Sequence, residues 1–165
     1  MPPTAISRIE ERTPPAATPV PAEVSLTPTE EEPRSAAQLQ ADYLRTTDTG
    51  ERIEAIYRLG EAAPAEAAQA FLQLFQIEAE EQLKLEILSS ADSIEGQTEP
   101  KLALISVALR RPQPADVRQA AIENLTGIDD RRAIATWQTL LNDRDPEVAE
   151  TAREQILRLQ ELEAL

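Results

Sequence analysis

The sequence predicts an all-α fold: an α-solenoid of about four helical hairpins, preceded by a disordered proline-rich tail. Two observations carry that prediction. A nine-residue phrase returns four times, from residues 51, 83, 117 and 148, at spacings of 32, 34 and 31. It reads Glu51-Arg52-Ile53-Glu54-Ala55-Ile56-Tyr57-Arg58-Leu59, then Leu83 through Ala91, then Val117-Arg118-Gln119-Ala120-Ala121-Ile122-Glu123-Asn124-Leu125, and finally Val148 through Ile156. A period in that range means stacked supersecondary units, each burying its apolar face on the next. The second observation is a break in composition at Pro33. Eight of the 13 prolines lie before Arg34, among Thr, Ala, Val and Glu that offer little to bury.

Residues 1–33 therefore read as a disordered tail or linker with polyproline-II bias, and 34–165 as the folded domain. The segment Ala5-Ile6-Ser7-Arg8-Ile9-Glu10-Glu11-Arg12 interrupts the tail; it reads as linker, with a short binding motif as the alternative. From Ser35 onward helix follows helix, and no convincing strand appears. The glycines Gly50, Gly60, Gly96 and Gly127 fall at expected helix ends or turns, where a left-handed residue is wanted. Pro64, Pro100, Pro112, Pro114 and Pro146 fall mostly in first turns, where the missing N–H costs little. A second periodic set lies between the phrases: Phe71, Ile105 and Trp137, with Ala68, Leu102 and Ile134, Leu74, Ala108 and Leu140, and Phe75, Leu109 and Leu141. One period earlier come Ala36, Leu39, Asp42 and Tyr43, a more polar copy suited to a capping unit. The spacings place the outer helix of each hairpin at about 35–46, 64–76, 98–110 and 129–142. The inner helices follow at about 50–61, 78–93, 115–127 and 146–162.

The run Val117-Arg118-x-x-Ala121-Ile122-x-x-Leu125-x-x-Ile128-Asp129, continued by Ala133-Ile134-x-x-Trp137-x-x-Leu140-Leu141-x-Asp143-x-Asp145-Pro146-Glu147-Val148, resembles the HEAT repeat. It is most similar to the short bacterial type found in phycobilisome lyase subunits. The resemblance covers about 35–163 and is tightest in the last two hairpins. It implies a right-handed solenoid whose relatives mainly bind proteins, while a minority attach or remove bilin chromophores. HEAT inner helices usually carry Arg at the second position, matched by an acid in the preceding turn. Here the basic row is Arg52, Lys84, Arg118 and then Ala149, and the acid row Asp48, Glu80, Pro114 and Asp145. This ladder is incomplete in hairpins three and four, so stacking there should rest more on apolar contact.

Composition narrows the function. The chain has no Cys and no His, which removes thiol chemistry, disulfides, histidine acid–base catalysis and almost every zinc, haem or iron–sulfur site. No cofactor is expected. The formal net charge of −14 repels phosphate backbones and anionic membrane surfaces, so nucleic acid is a poor partner. No apolar run approaches the roughly 20 residues a membrane span needs. With no signal peptide visible, the expected location is the cytoplasm; the alternative is periplasmic or membrane-tethered, had a leader or anchor been removed.

The third and seventh positions of each phrase should face solvent as one row: Ile53 and Tyr57, Leu85 and Ser89, Gln119 and Glu123, Glu150 and Glu154. The row begins apolar and ends acidic. That pattern predicts a groove for one protein segment or subunit with an apolar anchor and a basic flank; the alternative is that Ile53 and Leu85 pack against the tail or fill a shallow curve of the solenoid. A secondary basic edge of Arg45, Arg110, Arg111 and Arg144 lies at the outer-to-inner turns, where the charges also complement helix C-termini. Catalytic signals are weak: Ser89 and Ser90 near Lys84 can be drawn as a Ser/Lys pair, but helical spacing makes such neighbours freely. Glu80-Glu81 and Asp129-Asp130 read as caps. The leading expectation is a non-catalytic binding module, scaffold or assembly factor. The alternatives are a bilin-lyase-like subunit, with Arg52, Arg58 and Tyr57 as the pigment lining, or a structural subunit of a larger complex.

Overall fold

The computed structural model describes residues 34–110 and 112–162; the predicted tail of 1–33 and Arg111 lie outside the described residues. Eight helices, and no strand, occur among the described residues. They are α1 (Ala36–Arg45), α2 (Thr49–Gly60), α3 (Pro64–Ile77), α4 (Glu81–Asp92), α5 (Thr98–Ala108), α6 (Ala115–Thr126), α7 (Ala133–Gln138) and α8 (Pro146–Glu161).

Local chemistry starts four of these eight helices. Ser35 and Gln38 form a reciprocal capping box on α1. Asp48 accepts from the Glu51 N–H at the start of α2, and Asp145 from the Glu147 N–H at the start of α8. Pro64 and Pro146 occupy first-turn positions that need no N–H. Three expectations are corrected. The inner helix of the second hairpin begins at Glu81, not 78. The Glu78 carboxylate accepts from the backbone N–H of Ala79 and of Glu80, which holds that stretch extended before the helix. The outer helix of the fourth hairpin shrinks to α7. Around it, Ala133, Ile134, Thr139, Leu140 and Leu141 donate three residues back, not four, and the Thr139 hydroxyl takes the Thr136 carbonyl. Of the glycines, only Gly96, in the α4–α5 turn, has a left-handed backbone, with φ 70°.

Each outer helix packs on the inner helix that follows it. Outer helices α1, α3 and α5 lie along one another, as do inner helices α2, α4 and α6. The two periodic sets read from the sequence meet between these layers in one cluster. Phe71, Ile105 and Trp137 are fully covered, as are Leu59, Leu83, Ala91, Val117 and Leu125. Tyr43, expected in a polar capping copy, is buried as well. The fourth hairpin breaks the pattern: α8 lies against α7 but no longer runs closely along α6.

The acid partners of the ladder lie forward in the next hairpin, while in the preceding turn Arg52 and Arg118 meet carbonyls, those of Thr46 and Leu109. Arg52 reaches Glu78 at 3.5 Å and Glu80 at 3.7 Å in the next hairpin. Lys84 donates to Gln113 at 2.9 Å, and Arg118 to Asp143 at 2.6 Å. The expected gap in hairpin three is thus filled: the acid sits two residues before the helix N-cap, at Glu78 and Asp143, not at the cap itself. Further polar links serve the divergent last hairpin. Arg158 meets Asp129 at 2.6 Å and the Thr126 carbonyl at the C-terminal end of α6. Stacking there rests on ion pairs as well as apolar contact.

Substitutions at three positions test this packing. Trp137 is wholly buried, and its Nε1 has no hydrogen-bond partner among the described residues. Trp137→Ala should cost about 3–5 kcal/mol. Trp137→Phe keeps most of the apolar area and removes the unpaired donor, so it should cost under about 1.5 kcal/mol. Urea unfolding curves would separate the two, and equal losses would refute the burial of this ring. The Asp143 side chain is only 9% exposed. Arg118→Ala should therefore cost about 2–3 kcal/mol. Arg45 pairs with Asp42 on the open surface, so Arg45→Ala should change stability by less than about 0.5 kcal/mol in the same measurement.

Candidate functional site

The predicted row lies on α2, α4, α6 and α8, and its members differ in exposure. Tyr57 is 52% exposed, and Ser89, Gln119, Glu123, Glu150 and Glu154 are exposed too. Ile53 and Leu85 are half-buried, packed on the edge of the core. Helices lying side by side close the seam between them and partly cover both side chains. The apolar start of the row is therefore narrower than expected: one exposed aromatic ring beside two partly covered aliphatic groups.

Glu86 was not in the predicted row. The Tyr57 hydroxyl donates to Glu86 Oε2 at 3.0 Å, linking α2 to α4 across the seam. The signal for it was present: position four of the phrase lies three residues before position seven, hence on the same helix face. The hydrogen bond to Glu86, helped by the charge of that carboxylate, raises the Tyr57 phenol above its ordinary value. The phenol stays protonated and continues to donate.

Along the row, Gln119 donates to Glu123 at 3.1 Å on α6. On α4 the Leu88 carbonyl, in the last turn, accepts from Asn124 of α6, so the two helices meet beside Ser89. Glu150 pairs with Arg153 at 2.7 Å on α8. Because α8 turns away from α6, Glu150 and Glu154 are set apart from the run formed by α2, α4 and α6.

The basic edge is distributed over separate grooves. Arg45 lines a groove of about 640 Å³ along α1 and α2, with Arg34 and Arg58. Arg110 lines another of about 380 Å³ near Arg118, Thr139 and Asn142. Arg144 is exposed in the α7–α8 turn, and Arg111 lies outside the described residues.

The groups drawn as a pigment lining do not share one groove. Arg58 pairs with Glu54 at 2.8 Å beside the α1–α2 groove, and Tyr57 faces the α2–α4 seam. Arg52 is held under the surface: its Nε donates to the Thr46 carbonyl at 2.9 Å, and its guanidinium lies 5.2 Å from the centre of the Tyr43 ring. Lys84, the base of the drawn Ser/Lys pair, donates to Gln113 and lies 5.7 Å from the centre of the Phe75 ring. Ser89 is exposed and Ser90 is buried. Of the acid pairs read as caps, Asp130 accepts from the Arg132 N–H beside the start of α7 and is held at about 2 by Arg132. Glu80 makes no side-chain cap. Among the described residues no group of three or more acidic side chains is gathered to hold a metal ion. No helix among them is long and apolar enough to cross a membrane.

No protein-family model matches the chain, and neither the curated proteins nor the solved structures include a match.

The Tyr43–Glu78–Arg52 knot carries a pH dependence. Burial pushes the Tyr43 phenol up, and its hydrogen bond to Glu78 pushes it further. Burial works to raise Glu78, but the Glu80 N–H, the Tyr43 hydroxyl, the Ala79 N–H and Arg52 together hold it below its ordinary value of 4.5. The raised phenol contributes stability that is full below its unfolded value of 10.0 and is lost as pH rises toward its folded value. The lowered carboxyl contributes stability present above 4.5 and lost as pH falls through its folded value. Stability should be flat between these limits and fall on both sides. Tyr43→Phe should flatten the alkaline limb in urea unfolding at several pH values; an unchanged limb would rule out this role.

Proposed function

We propose that α1–α8 form a HEAT-like α-solenoid acting as a non-catalytic protein-binding module, a scaffold or assembly factor. Its inner-helix face receives one segment of a partner protein. The observation that carries the reading is Tyr57. A large aromatic ring stands half exposed at the α2–α4 seam, is held in place by Glu86, and opens a face that becomes acidic through Glu123. Exposed aromatics fixed in position supply contact area at low ordering cost, which is why they recur as anchors in protein interfaces. The half-buried Ile53 and Leu85 extend that anchor, and the acids beyond it select a basic flank. The structural engagement of Arg52 and Lys84 supports binding over chemistry on this face.

The test is site-specific photo-crosslinking in the native host extract. A photoreactive phenylalanine replaces Tyr57 on the inner face or Gln69 on the exposed side of α3. The expected result is a discrete adduct from position 57 that is absent from position 69 and disappears when Leu85→Ala is added. Equal labelling from both positions, or adducts from position 69 alone, would overturn the reading.

A further inference from the structure

The class of segment that fits this face can be argued from its dimensions; the argument rests on the binding-module reading. Positions three and seven of each inner helix stand four residues apart, about 6 Å along the helix axis. That track is narrower than an α-helix with its side chains, which is about 10–12 Å across. Adjacent packed helices lie about 8–10 Å apart, so the inner face repeats at that pitch along α2, α4 and α6. A β-strand advances about 3.3 Å per residue, with side chains alternating between two sides, so every third residue points the wrong way. A polyproline-II segment advances about 3.1 Å per residue with three residues per turn. Its every third side chain therefore returns to the same side after about 9 Å, the helix-to-helix pitch.

Chemistry decides what that third side chain is. At the α2–α4 seam, half-buried Ile53 and Leu85 offer an aliphatic floor. The Tyr57 ring and the Glu86 carboxylate stand together beside it, joined by their hydrogen bond. An aliphatic floor, an aromatic face and a carboxylate suit a Lys or Arg side chain, whose stem packs while its cation meets ring and carboxylate. One inner helix further on, Glu123 offers the next carboxylate on the exposed face. We infer that the inner face binds a polyproline-II segment carrying a Lys or Arg at every third residue, with one cation at Glu86 on α4, beside the Tyr57 ring, and the next one helix further on at Glu123 of α6. The divergence of α8 limits the regular track to α2, α4 and α6, so two cations in register are the recognition unit.

Fluorescein-labelled synthetic peptides test this by anisotropy with the full chain. One peptide contains three consecutive Lys-Pro-Pro triplets. The second has the same composition with its lysines contiguous. The third is an alanine-rich helical peptide with lysines one heptad apart. The triplet peptide should bind at least about tenfold more tightly than either control, which corresponds to about 1.4 kcal/mol. Its affinity should fall as salt is raised. Glu86→Gln and Glu123→Gln should each weaken it several-fold, and Tyr57→Ala more, with circular dichroism unchanged. Equal binding of the contiguous peptide, tighter binding of the helical one, or indifference to the Glu variants would overturn the inference. If no peptide binds but crosslinking from position 57 persists, the inference fails and the binding-face reading stands. If that crosslinking is also absent, both fail.

Discussion

A helix with apolar side chains on two flanks has to be covered on both, and in this chain the cover comes from the neighbouring hairpins. Phe71 and Trp137 in the outer row, and Leu83 and Val117 in the inner row, are fully covered although each hairpin is only two helices thick. Burial of this kind contributes about 25 cal/mol for each Å² of apolar surface removed from water. It carries no direction by itself, so it does not dictate where along its neighbour a hairpin comes to rest.

Polar groups supply that missing direction. Arg52 and Arg118 each leave an inner helix and end on an acid in the turn before the next one, Glu78 and Asp143. Lys84 finds the neutral Gln113 instead, because proline occupies the cap position and the residue two before it. The turn acids have little exposure left, so a displaced hairpin would leave them buried without their cation. The same acids reach back to local backbone: Glu78 accepts from two N–H groups, and Asp143 accepts from the Asp145 N–H. One carboxylate thus shapes the turn and positions the neighbouring hairpin. Where α8 leaves the side of α6, Arg158 takes over by reaching the C-terminal carbonyl end of α6.

The candidate binding face is the surface this arrangement leaves over. Residues used in stacking are withdrawn from it, as Arg52 and Lys84 are, while Tyr57 stays exposed at the seam, where its hydroxyl finds Glu86. Glu86 and Glu123 remain on the inner helices beside this one aromatic group. On the proposed binding reading, this face suits a cation on an apolar stem.

Much of this was legible in the sequence because it depends on periodicity and local chemistry. The four phrase copies located the inner helices to within a few residues, and the Phe71, Ile105 and Trp137 register named the core. Asp145-Pro146-Glu147 and Thr98-Glu99-Pro100 read as helix starts, and α8 and α5 begin there. Two of the errors are local: Glu78 delays α4 by accepting from the next two N–H groups, and three-residue bonds shorten α7. The ladder acids, the half-burial of Ile53 and Leu85, and the Tyr57–Glu86 bond join residues about 25–35 positions apart or follow from such joins. Spacing along a chain says which face of its own helix a side chain occupies. Only the packed hairpins decide which groups from the next repeat meet it there, because that depends on the offset and divergence of neighbouring helices, which no single repeat encodes.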